Sequence, residues 1–201
     1  LRVSEIVVLL EFVDGQSLEQ QCPKSLGQLV RTFRQVAEAI GAMHSQGYVH
    51  ADLKPMNVII ESEDSVKVID FGQACIAGTI KPRVQGTPDY IAPEQVLKQA
   101  ITPQTDVFNF GATLYWCATG QHVSTLVPRG NPANSLGEIM PPKIRPASEL
   151  NEKINTALNT LIMQCLAFDP NDRPATMEDL AVRLDVIAKQ LNRDSVASVS
   201  E

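Results

Sequence analysis

Residues 105–119 have the length of a helix and almost no polar face. Val107, Phe108, Phe110, Ala112, Leu114, Tyr115, Trp116, Cys117 and Ala118 fall on every side of it. A helix that is apolar all round belongs in the middle of a domain, so the rest of the chain has to wrap around this one. The 201 residues suffice for one domain with a sizeable core. Residues 25–45 predict a second, amphipathic helix. Leu26, Leu29, Val30, Phe33, Val36, Ala37, Ile40 and Met43 recur there at three and four residues, and Gly47 stops it. A third is expected over 149–167, with Ile154, Leu158, Leu161, Ile162 and Cys165 on one face. Thr176-Met-Glu-Asp179 has the form of a capping box with Asp for the usual Glu, opening a last helix through about Leu191.

Strand signals are fewer. The dense β-branched and aliphatic run at 5–13 predicts a buried strand, ended by the turn residues Asp14-Gly15. Val58-Ile-Ile60 and residues 66–69 flank the polar turn 61–65 and predict a short hairpin. Residues 71–92 hold Gly72, Gly78, Pro82, Gly86 and Pro88 without a sustained period, which predicts a long loop, and such loops are usually functional. Residues 120–148 carry Pro128, Pro132, Pro141, Pro142 and Pro146 and read as irregular, with one short helix near 135–140. The small, polar residues 194–201 read as a disordered tail.

The bulk properties exclude several classes. A net charge of −6 argues against a general binder of nucleic acid or anionic membrane. The aliphatic run at 6–10 is too short to span a bilayer, and no signal-peptide pattern is present. Cys22, Cys75, Cys117 and Cys165 form no Cys-x-x-Cys pair, which fits reduced thiols in a cytoplasmic setting better than zinc or disulfides. The chain begins at Leu1 and enters a strand-like segment at once, so it is expected to be a piece of something longer.

The chemistry concentrates in Tyr48-Val-His-Ala-Asp-Leu-Lys-Pro-Met-Asn57. His50, Asp52, Lys54 and Asn57 lie here at fixed offsets between apolar anchors, which is how a loop holds polar groups for catalysis by positioning. Asp70-Phe-Gly72 adds an acid ten residues beyond Ile60. Singly, each has a plainer reading: Asp52 as a loop carboxylate capping a turn, Lys54 as a solvated lysine, Asn57 and Asp70 as turn formers, His50 as a satisfied structural histidine.

Taken in order, these stretches resemble the protein kinases. The match comprises His50-Ala-Asp-Leu-Lys-Pro-Met-Asn57, Asp70-Phe-Gly72, Gly86-Thr-Pro-Asp-Tyr-Ile-Ala-Pro-Glu94, Asp106-Val-Phe-Asn-Phe-Gly111 and Asp172-Arg-Pro174, within residues 5–191. The resemblance implies an α+β, mostly α fold: the C-terminal lobe of a protein kinase with a short β-hairpin at the active site. Residues 1–16 would be the last N-lobe strand and hinge, 17–192 the lobe, and 193–201 the tail. It implies transfer of the ATP γ-phosphate to protein Ser or Thr hydroxyls. Asp52 would orient the acceptor and take its proton, Lys54 would neutralise the γ-phosphate, and Asn57 and Asp70 would hold Mg2+. Thr87 would hydrogen-bond near Asp52 and Lys54. The backbones of Glu11 and Val13 would pair with adenine, Ile59 would lie beneath it, and Leu10 would guard the back pocket. His50 would brace the turn at 70–72, Asp106 would accept backbone N–H groups from the catalytic loop, and Glu94 would pair with Arg173. Lys54 and Gly86-Thr87-Pro88 resemble the Ser/Thr class. Partners are then ATP and a protein substrate, with no nucleic acid and no membrane contact from this region. The resemblance places the region in the cytoplasm, although the parent protein could be anchored elsewhere.

Two departures stand out. Ala51 occupies the place of the arginine that commonly receives an activation-loop phosphate, so independence from phosphorylation at Thr79 is expected. No glycine-rich loop precedes residue 5, and the first lysine is Lys24. The isolated chain is therefore expected to bind ATP weakly and transfer negligibly. Two alternatives stay open. One is a non-catalytic pseudokinase scaffold, against which Asp52, Lys54, Asn57 and Asp70 argue together. The other is a small-molecule kinase of the aminoglycoside phosphotransferase type, against which residues 86–94, Asp106 and Arg173 argue.

Overall fold

The computed structural model describes residues 9–62, 65–124 and 143–197. Helix α3 (Pro103–Thr119) is the axis of the molecule, and residues 105–115 along it are buried without a break. Pro103 starts it with φ already set for a helix, Thr105 Oγ1 accepts the Thr102 N–H at 3.2 Å, and Gly120 ends it at φ 70. Helix α1 (Leu26–Ser45) is capped by Ser25, whose side chain accepts from Gln28 N at 3.2 Å, and it stops before Gly47 at φ 81. Its apolar face meets α3, where Phe33 and Phe110 stand edge to face with centroids 5.2 Å apart. Such a pair is worth about 0.5–1.5 kcal/mol beyond its buried area.

Helix α2 (Pro93–Val96) is a single turn. The helix expected over 149–167 is two: α4 (Ala147–Leu150) and α5 (Thr156–Cys165). The break has a physical cause. Asn155 caps α5 by accepting from Leu158 N at 2.9 Å, and Asn151 spends its side chain on Ala118 O at 2.8 Å. Helix α6 (Met177–Ala197) packs along α1 and α5, and Asp179 N donates to Thr176 Oγ1 at 3.1 Å as the capping pattern requires. It runs past the expected end near 191. No Gly or Pro interrupts residues 192–197, so the first part of the expected disordered tail is helical. The short helix expected near 135–140 lies outside the described residues.

Among the described residues, three small antiparallel sheets complete the fold. In the first, β1 (Gln16–Ser17) pairs with β3 (Val58–Ser62), which pairs with β4 (Ser65–Val68); Val58 faces Val68 and Ile60 faces Val66. β2 (Tyr48–Val49) pairs with β5 (Cys75–Ile76), and β6 (Thr79–Ile80) with β7 (Ala100–Ile101). The stretch 71–92 is thus not free loop throughout: two short pairings pin its first part. The strand expected over 5–13 needs correction where it can be seen. Residues 9–14 form no strand, and Leu9, Leu10 and Phe12 are 93%, 85% and 86% exposed. An apolar run becomes a buried strand only against a partner, and among the described residues pairing begins at Gln16. There Gly15 passes so close to β3 that a Cβ would lie 2.5 Å from Ile60 O.

Candidate active site

The site is built downward from α3. Asp106, in its first turn, is fully buried, and it faces the loop between β2 and β3. Its Oδ2 accepts the His50 N–H at 2.8 Å and its Oδ1 the Ala51 N–H at 2.7 Å. His44 of α1 brings Nε2 to the same Oδ2 at 2.8 Å. These bonds hold Ala51 at φ 62, a left-handed conformation that costs a non-glycine residue about 1–2 kcal/mol. The Ala51 methyl packs with Val49, Ile101 and Cys75 in a small separate apolar cluster, so no cation stands at that position.

His50 is fully buried and its ring is spoken for on both sides. Nε2 lies 3.2 Å from Ile69 O, Nδ1 accepts the Asp52 N–H at 3.3 Å, and the ring meets Phe71 edge-on at 5.6 Å. A carbonyl on one nitrogen and an N–H on the other assign the proton to Nε2. The ring is a brace between the loop and the turn that follows β4.

Asp52, 8% exposed, lies in a closed triangle. Its Oδ2 accepts from Lys54 Nζ at 2.8 Å. Its Oδ1 accepts from Thr87 N at 3.0 Å and from Thr87 Oγ1 at 2.9 Å, and Lys54 Nζ donates to Thr87 Oγ1 at 2.9 Å. Asn57 closes the loop by donating Nδ2 to Asp52 O at 2.9 Å, which leaves its amide oxygen as the uncommitted end. The hairpin then sets Asp70 beside it: Ile69 N donates to Asn57 O at 2.9 Å, and Asp70 follows at φ 64 with Oδ1 accepting from Gly72 N at 3.2 Å. Asp70 is exposed. Among the described residues there is no cluster of three His, Cys, Asp or Glu able to enclose a metal ion. An amide oxygen and a carboxylate suit a hard cation that fills its other positions with water and phosphate oxygens.

The structure therefore brings Asp52, Lys54, Asn57 and Thr87 together, with Asp70 across the hairpin. Ile59, half-buried, lies on β3 just beyond Asn57. Glu11 and Val13 precede β1, and Glu11 reaches Lys67 of β4 through its side chain. A cavity of about 630 Å³ behind the hairpin, lined by Met43, Tyr48, Val66 and Phe71 among others, includes none of the polar loop residues.

The protein kinase domain family matches residues 2–183. This chain belongs to the protein kinase domain family. Similar proteins include the serine/threonine-protein kinase pkn3 of Myxococcus xanthus, 33% identical over 94% of this chain and 37% of that protein. Pkn1 of the same organism is 32% identical over 85% of the chain and 26% of that protein, and PknB of Mycobacterium leprae is 29% identical over 90% and 30%. The kinase domain here thus spans roughly a quarter to a little over a third of the length of these relatives.

Three polar residues of the domain escape a reading from sequence: His44, Gln95 and Asn109. His44 looks like the polar end of an amphipathic helix, yet its ring binds Asp106. Gln95 and Asn109 are buried amides that join the loop between β2 and β3 to its neighbours. The only signal would have been that each sits beside apolar positions, where an unpaired amide is costly.

Proposed function

We propose that the protein carrying this domain transfers the γ-phosphate of ATP to Ser or Thr hydroxyls of proteins. The observation that carries this reading is the Asp52–Lys54–Thr87 triangle. Phosphoryl transfer asks for alignment and charge neutralisation more than for covalent help. A carboxylate that already accepts an alcohol hydrogen bond from Thr87 is arranged to accept one from a substrate hydroxyl. As the acceptor oxygen bonds to the γ-phosphorus and the β–γ bridging bond breaks, the acceptor proton passes to Asp52. Lys54 supplies a compact positive charge beside it.

Bound Mg2+ would offset charge on the phosphates, and Asn57 Oδ1 and the Asp70 carboxylate are the oxygens that would hold it. Among the described residues no backbone hydrogen bond engages Glu11 or Val13, which leaves them for adenine over Ile59. The free thiols Cys22, Cys75, Cys117 and Cys165 fit a reducing, cytoplasmic setting. Among the described residues no helix is long and apolar enough to cross a membrane.

The test is phosphate transfer by the whole protein to Ser-, Thr- and Tyr-containing peptides, beside Asp52→Asn. We expect labelled Ser or Thr and a loss of about 10²–10⁴-fold in the variant. Absence of transfer by the unaltered protein, or transfer to Tyr alone, would overturn the reading. The 201-residue polypeptide by itself, with no lysine before Lys24, should bind Mg·ATP weakly; micromolar binding in a calorimeter would contradict this.

A further inference from the structure

We propose that Gln95 is a positioning residue for Asp52, setting its backbone and its carboxylate at the same time. The idea rests on the reading of Asp52 as proton acceptor. Gln95 lies on the single turn α2 and is 3% exposed. Its Nε2 donates to Ala51 O at 2.8 Å and to Gln85 O at 3.2 Å. Its Oε1 accepts from Ala92 N at 2.9 Å and from Asn109 Nδ2 at 3.2 Å. Asn109 is itself oriented by Tyr90 O, which takes an Nδ2 hydrogen at 2.6 Å. These partners fix which end of the Gln95 amide is nitrogen, and every strong hydrogen-bonding direction on it is used.

The two carbonyls it grips are the relevant ones. Ala51 O belongs to the peptide group that joins Ala51 to Asp52, whose N–H is held by His50. Without Gln95, that peptide keeps only the long bond to His50, next to a residue already held at φ 62. Gln85 O lies two residues before Thr87, whose N–H and hydroxyl hold the Asp52 carboxylate. Gly86, between them, adopts φ 128 and packs on Gln95, where a Cβ would come within 3.2 Å of Nε2. One amide therefore sets the distance between the peptide that carries Asp52 and the loop that clamps its side chain. With Ala51 in an apolar cluster, no side chain at that position does this job.

Gln95→Glu keeps the shape and removes both donors, placing carboxylate oxygen against two carbonyls. Gln95→Met keeps the size without charge. Amide hydrogen exchange on this chain and transfer kinetics on the whole protein read the two arms separately. In either variant that melts cooperatively, exchange at Asp52 and Thr87 should speed up on the order of tenfold. In the whole protein kcat should fall about 10- to 100-fold with KM for ATP unchanged, as a displaced acceptor group predicts. Unchanged exchange at both amides would overturn the proposal, and so would a rise in KM without a fall in kcat. Loss of the cooperative melt in both variants would also overturn it, since Gln95 would then be a determinant of the whole fold. If the unaltered protein transfers no phosphate while the variants speed exchange, the coupling stands and the catalytic reading falls.

Discussion

Arg173 and Glu94 face each other through two parallel bonds, Nη1 to Oε1 at 2.8 Å and Nη2 to Oε2 at 2.9 Å, with both side chains buried. The rest of the guanidinium is also used. Nε donates to Ala167 O, Nη1 to Gln104 O and Nη2 to Phe168 O, and the plane lies 5.1 Å over Phe108. Glu94 stands on α2, next to Gln95, so this pair ties the end of the 71–92 segment to the helical core. Removing one partner strands a buried charge. Arg173→Met or Glu94→Ala should each cost about 3–5 kcal/mol, and the double replacement less than their sum. Chemical unfolding of the four forms measures this.

Thr79 is committed to local structure. Its hydroxyl donates to Ile76 O at 2.7 Å, its backbone pairs with Ile101, and Ala51 offers no charge to a phosphate there. Thr79→Ala in the whole protein should leave the transfer rate within about twofold, because no Arg-pairable phosphate switch is lost. A large drop would show that the segment is set by modification after all.

Helices α3 and α5 touch at Gly111, where a Cβ would fall 2.5 Å from Cys165 Cβ. Backbone stands close on both sides, so no flexible side chain can yield. Gly111→Ala should destabilise by about 1–3 kcal/mol through overpacking, despite the better helix propensity of alanine. A thermal melt beside Gly120→Ala, whose cost would come from its φ of 70 alone, separates contact from backbone strain.

Burial pushes the Cys165 thiol up from 9.0 to about 12. The folded state keeps this proton where the unfolded chain loses it. Its contribution is whole below pH 9.0 and declines as pH rises toward about 12, by at most about 1.4 kcal/mol per pH unit. Burial raises Tyr90 as well and adds to the slope in the same direction above its ordinary 10.0. Urea midpoints taken from about pH 8 to about 10.5 should fall for the unaltered chain. In Cys165→Ala the midpoints should start lower and fall less steeply.

The parts of the fold legible in the sequence are those with a period. The apolar run of α3 and the stripe of α1 mark their own positions, as does the hairpin beside Asn57. Elements that exist only through a partner left no local trace. Gln16–Ser17 is a strand because β3 lies beside it, and the exposed Leu9, Leu10 and Phe12 have no such partner among the described residues. The split between α4 and α5 was hidden because polar caps make it, not Gly or Pro. In the site, Asp52, Lys54, Asn57, Asp70 and Thr87 stood out only through the resemblance of their stretches to the protein kinases. His44, Gln95 and Asn109 act through bonds to residues far along the chain, and no spacing announces such bonds.

The Asp106 carboxylate that holds His50 and Ala51 lies 56 and 55 residues further along the chain. During synthesis the catalytic loop is made long before the residue that shapes it. Until α3 has emerged and docked, the His50 and Ala51 N–H groups, the second on the residue at φ 62, lack the carboxylate that holds them. The loop therefore acquires its geometry in the same event that buries the central helix. The shape of this loop is thus a property of the docked helix and not of the loop's own sequence.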